Sequence, residues 1–112
     1  MTISTHVLDT SIGRPASGVD VRLQRQEGDA WVDVGGGTTD EDGRVTTLVA
    51  ANAHLGAGLY RLTFGAGAYF DRRGVHSFYG DITIEFIVRD GGAHYHVPLL
   101  VSPFGYSTYR GS

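Results

Sequence analysis

The sequence predicts an all-β sandwich, on three observations. Short runs of alternating or β-branched residues recur along the chain. Clusters of Gly, Pro, Asp and Asn separate those runs and supply turn chemistry. Only one segment, between Gly65 and Arg73, breaks the period-two pattern in favour of a helix.

The elements follow in order. Ile3 to Asp9 reads as a first strand, closed by the turn-rich stretch from Ser11 to Gly18 with Gly13 and Pro15. Val19 to Gln26 alternates, with Val19, Val21 and Leu23 on one face and Asp20, Arg22 and Gln24 on the other. Glu27-Gly28-Asp29 turns the chain into a short strand around Trp31 to Val34. Gly35-Gly36-Gly37 reads as a flexible turn leading into a loop, with Asp42-Gly43 as a turn pair. Val45 to Ala50 forms a further short strand, and Leu59 to Phe64 a stronger one. Ala66, Ala68, Tyr69, Phe70 and Arg73 suit one short helix. Ile82 to Val88, His94 to Val101 and Tyr106 to Gly111 complete about eight strands, the last running to the end of the chain.

A chain of 112 residues is expected to form one domain over 1–112. It carries no cysteine, which excludes disulfides, thiol catalysis and thiolate zinc sites. All nine basic residues are arginine, so lysine Schiff-base chemistry is excluded as well. The net charge of −3, without a basic stripe, argues against nucleic acid as a partner. No apolar run is long enough to span a membrane as a helix. The first residues lack a charged segment followed by an apolar one, so a cytoplasmic location is expected.

Familiar catalytic motifs are missing. The glycine triplet lacks the Lys-Ser/Thr of a phosphate loop, and no Gly-x-Ser-x-Gly elbow occurs. Asp40, Glu41 and Asp42 share one turn and read as solvated. Histidine placement is more informative. Tyr95, Val97, Leu99 and Val101 make a core face, which turns His94, His96, Pro98 and Leu100 outward. His6 and Leu8 likewise share a face opposite Val7. An outward face that mixes apolar residues with histidine fits a subunit interface or a ligand surface. Any one of these histidines could equally be an ordinary exposed or hydrogen-bonded residue, and His54 and His76 sit in loop-like regions. His94 and His96 have chelating spacing but no evident third ligand, so no metal is expected.

The C-terminal run from His94 to Ser112, ending Tyr109-Arg110-Gly111-Ser112, closely resembles the end of the 5-hydroxyisourate hydrolases of the transthyretin-related family. Ser4-Thr5-His6-Val7-Leu8-Asp9 with Gly13-Arg14-Pro15-Ala16 resembles their first strand and turn, and Asp42-Gly43-Arg44 a later turn. Leu59 to Thr63 followed by Tyr69-Phe70 fits their strand-then-helix segment, so the resemblance covers the whole chain. It implies a transthyretin-like sandwich and hydrolysis of 5-hydroxyisourate to 2-oxo-4-hydroxy-4-carboxy-5-ureidoimidazoline, without a cofactor. It further implies a homotetramer with active sites at subunit interfaces. The implied catalytic residues are His6, Arg44, His96 and Ser112; substrate binding falls to His6, Arg44, Tyr109, Arg110, Gly111 and Ser112. Transthyretin itself, a carrier, shares the stretch from Ser102 to Thr108 but lacks the terminal tetrapeptide and the paired histidines. A small-molecule carrier is therefore the alternative reading.

Overall fold

The computed structural model describes residues 2–50, 53 and 55–112; His54, one of the loop histidines, lies outside them. Among the described residues, ten strands and one helix follow in order: β1 (Thr2–Ser4), β2 (Val7–Asp9), β3 (Arg14–Pro15), β4 (Asp20–Glu27), β5 (Ala30–Thr38), β6 (Gly58–Phe64), α1 (Ala66–Arg72), β7 (Ile82–Val88), β8 (His94–His96), β9 (Leu99–Ser102) and β10 (Gly105–Thr108). One sheet has the order β10-β9-β2-β3 and the other β5-β4-β6-β7, with β1 and β8 paired beside the first.

The two long segments expected as single strands, 3–9 and 94–101, are each cut in two. Their parallel pairing nevertheless runs through the cut. Ser4 opposes His96 and Val7 opposes Leu99. Between these registers, Val97 N–H donates to the Ser4 carbonyl at 2.9 Å and Leu99 N–H to the His6 carbonyl at 2.9 Å. The ladder is broken where the Val97 carbonyl is taken by the Thr5 hydroxyl at 2.7 Å. Pro98, which has no N–H, faces the other edge, where its carbonyl accepts the Thr108 hydroxyl at 2.7 Å.

Two further expectations are corrected. Gly35-Gly36-Gly37 is not a turn but the second half of β5. Val45 to Ala50 is not a strand; it lies across those glycines, and Gly36 N–H donates to the Leu48 carbonyl at 3.0 Å. A Cβ on Gly35 would overlap the Leu48 carbonyl, and one on Gly37 the Val45 side chain. The triplet is thus a strand thinned for a covering segment. The last strand also ends earlier than expected, at Thr108.

The core lies between the sheets. Val7, Leu99 and Val101 of one face Val21, Leu23, Tyr60, Leu62 and Phe64 of the other, all buried. Removing each such large side chain from water stabilises the fold by about 1.5–3 kcal/mol. The expected face of Tyr95, Val97, Leu99 and Val101 is buried throughout. Helix α1 buries Ala66, Tyr69 and Phe70. Its Tyr69 hydroxyl donates to the buried Asp9 carboxylate at 2.8 Å, whose other oxygen accepts the Ser11 N–H at 3.0 Å. That contact ties the helix to β2.

Candidate active site

The site forms where the ladder is interrupted, because the chain supplies a new neighbour on each outer flank. Beside His6 comes the turn before Arg44: Val7 N–H donates to the Gly43 carbonyl at 2.8 Å, and His6 and Arg44 form an antiparallel bridge pair. Beside His96 comes the C-terminal tail: Gly111 N–H donates to the His96 carbonyl at 2.8 Å, and these two residues also form an antiparallel bridge pair. Bridge partners project to the same face. His6 and His96 sit diagonally across the parallel pair, given that Ser4 opposes His96. Four backbone segments therefore place Arg44, His6, His96 and Gly111 in one row.

The Arg44 turn is built by Asp40. Its carboxylate accepts the N–H groups of Asp42 and Arg44 at 2.9 and 3.0 Å, and its own N–H donates to the Arg44 carbonyl at 2.7 Å. Asp40 is thus a turn-forming residue and not merely a solvated charge. The Arg44 side chain is exposed, while His6 and His96 are half-buried.

Both histidines are packed against glycine. Gly43 has φ +76°, and a Cβ there would stand 3.3 Å from Cδ2 of His6 and closer still to the Val7 carbonyl. A Cβ on Gly111 would stand 3.1 Å from Cγ of His96 and nearer still to its Cδ2. A side chain at Gly111 would have to move the His96 ring, and one at Gly43 would run into the Val7 carbonyl.

Burial lowers the pKa of His96 below the usual histidine value, and Arg44 pushes the same way, as would a proton on His94 or His6, against a raising contact with the Ser4 backbone. The imidazole therefore favours its neutral form near physiological pH, with a free nitrogen able to accept a proton.

Not every expected site residue joins this row. Tyr109 and Arg110 line a separate cleft of about 300 Å³ with Ile84, Phe86, Ile87 and Tyr95. Arg110 donates to the His94 carbonyl at 3.3 Å, and its guanidinium lies 4.5 Å from the Tyr95 ring centroid. Ser112 follows Gly111 at the exposed end and hydrogen-bonds to no other described residue. On the outward face His94 is exposed, and Leu8 and Leu100 are half-buried. Pro98 departs from the expectation, being buried already within the chain. His76 is exposed and takes no part. Ser4 and Asp40 hold places here that the sequence pattern does not assign them, Asp40 reading there as solvated. Ser4 had a detectable signal, since it shares a strand face with His6 at period two.

A family model for the HIUase/transthyretin family matches residues 3–111. The chain belongs to this family. It is 46% identical over 114 residues to the "5-hydroxyisourate hydrolase 2" of Rhizobium meliloti, covering 98% of this chain and 95% of the relative. The solved 5-hydroxyisourate hydrolase of Klebsiella pneumoniae superposes with a TM-score of 0.84 at 43% identity, over 100% of both chains. Sea bream transthyretin, solved with thyroxine, gives a TM-score of 0.91 at 29% identity, over 99% of this chain and 95% of that one. Backbone shape thus does not separate the branches of the family; sequence identity does, and it falls on the hydrolase side. The chain is a hydrolase of this family.

Proposed function

We propose that the protein opens the ring of 5-hydroxyisourate, yielding 2-oxo-4-hydroxy-4-carboxy-5-ureidoimidazoline. The observation that carries this reading is the row of Arg44, His6, His96 and Gly111, in which Arg44 pairs through its backbone with His6 and its charge acts on the His96 imidazole. Ring-amide hydrolysis needs a base for water, a positive group for the developing oxyanion and a proton for the departing nitrogen. His96 removes a proton from water, and the resulting hydroxide attacks the ring carbonyl. Arg44 offers a planar fork of donors to that oxygen and to the substrate's neighbouring carbonyls. The C–N bond then breaks as the protonated histidine returns its proton to nitrogen. His6 orients the water or shares the proton, and Ser112 adds a hydroxyl at the rim. No cofactor or metal enters this scheme.

We further propose a homotetramer in the cytoplasm, with the site completed between subunits. Strands β7 and β10 are sheet edges, and Ile87 on β7 and Tyr109 just after β10 are 54% and 59% exposed. Pairing of such edges would cover the cleft lined by Tyr109 and Arg110 and bring the tail into the assembled site. The carrier reading draws support from the transthyretin likeness. The two separate in one assay. 5-Hydroxyisourate generated from urate by uricase should lose its ultraviolet absorbance faster with the protein present. Unchanged decay would reject the hydrolase and favour the carrier.

A further inference from the structure

Behind His96 lies a second line of polar side chains outside the row described above. The parallel register of β1 and β8 sets Thr2 opposite His94 and Ser4 opposite His96, so each hydroxyl faces an imidazole. The Ser4 Oγ is 2.8 Å from Nδ1 of His96 and 3.3 Å from Nε2 of His94. Nδ1 of His94 in turn meets the Thr2 hydroxyl. The two rings are nearly parallel, 10° between planes and 6.5 Å between centroids. The chain Thr2–His94–Ser4–His96 is therefore continuous and ends on the nitrogen of His96 that the Ser4 hydroxyl occupies.

We propose that Ser4 and His94 are positioning residues that fix the tautomer and orientation of His96. A hydroxyl has one proton, so it donates to one imidazole and accepts from the other. With Ser4 donating to Nε2 of His94, it must accept Nδ1–H of His96, and Nε2 of His96 is left bare as the base. In this arrangement Nδ1–H of His94 donates to the Thr2 hydroxyl. Gly111 closes the other side, since its backbone lies against Cδ2 and Cγ of the ring. The imidazole is thus gripped on one edge by a hydrogen bond and on the other by packing, with its tautomer set from behind. This inference rests on the proposed role of His96 as base.

The test uses the full-length chain and two readouts. Nitrogen-15 NMR of the neutral imidazole reports the tautomer of His96 without any turnover. In the wild type Nδ1 should carry the proton. Ser4→Ala should give a mixture of tautomers and lower kcat by about 10- to 100-fold with KM little changed, the scale on which loss of an orienting partner usually acts. Ser4→Thr should restore both. His94→Gln, which keeps an acceptor for the Ser4 proton, should lie near the wild type, whereas His94→Leu should resemble Ser4→Ala. A circular-dichroism melt confirms that each variant is folded. A Ser4→Ala protein with unchanged kcat and an unchanged His96 tautomer overturns the proposal. Should His96→Gln remain fully active, the role of His96 fails first, and the tautomer measurement still decides whether Ser4 sets it.

Discussion

The backbone of Gly111 lies close against the imidazole of His96, with its N–H on the His96 carbonyl at 2.8 Å and no room for a Cβ. The pairing explains why glycine stands third in the terminal Tyr-Arg-Gly-Ser. Gly111→Ala must push either the ring or the tail aside, because the added carbon would come under 3.0 Å from Cδ2. The tail is exposed at its end and can give way, so the fold should survive with a melting temperature close to wild type. Turnover of 5-hydroxyisourate should fall at least tenfold, since displacement of about 1 Å near the reacting atoms commonly costs a hundredfold. Steady-state kinetics beside a thermal melt would show the split; equal activity would mean that the contact is incidental.

The charge on Arg44 should be visible in how His96 titrates. Burial and the Arg44 charge hold its pKa below the usual histidine value of 6.5, so the acid limb of kcat/KM should lie below that pH. Arg44→Gln removes one of the lowering charges. The NMR titration midpoint of His96 should then move upward. The sign for stability follows the same shift. The unfolded chain takes up a proton near 6.5 while folded His96 resists it, so its contribution is present above that pH and is lost as pH falls through the lower folded value. A midpoint that moved downward in Arg44→Gln would contradict the electrostatic account.

How much of this was legible in the sequence depends on how local each feature is. Alternation placed Tyr95, Val97, Leu99 and Val101 in the core and His6 and His96 on the outer face, because a strand's facing is set by period two alone. The cuts in the strands were not legible. They arise where the Thr5 hydroxyl takes the Val97 carbonyl, a contact between residues far apart in the chain. Gly35-Gly36-Gly37 misled for a related reason. Glycine usually signals a turn, but here it makes space for the backbone of Leu48. The resemblance to the family named His6, Arg44, His96 and Gly111. It did not distinguish the tail residues by role, as the structure does: Gly111 against His96, Arg110 on Tyr95.

The link between helix and sheet should carry measurable stability. Tyr69 donates to Asp9, a carboxylate only 1% exposed, and burial together with that bond and the Asp9 charge pushes the tyrosine pKa up to about 12. Tyr69→Phe keeps the ring but leaves one oxygen of a buried anion without its donor. Stability should fall by about 1–3 kcal/mol, read from urea unfolding at neutral pH. Activity at saturating substrate should change little, because Asp9 and Tyr69 lie outside the row of His6 and His96. A loss well below that range would mean that water replaces the hydroxyl.

Assembly can be tested at the β7 edge. Ile87 faces outward beside the cleft that holds Tyr109 and Arg110, and an exposed apolar residue on an open edge strand is the kind of position that pairing covers. Ile87→Arg should therefore leave the single chain folded, since the residue is not part of its core. In the assembly it would bury an unpaired charge, which is strongly unfavourable. Sedimentation velocity should show a smaller species than the wild type. If the site is completed between subunits, 5-hydroxyisourate turnover should fall in parallel and rise again with protein concentration as association recovers. Retained activity in a dissociated Ile87→Arg protein would place the whole site within one chain, because the row of Arg44, His6, His96 and Gly111 would then suffice without a neighbour's tail.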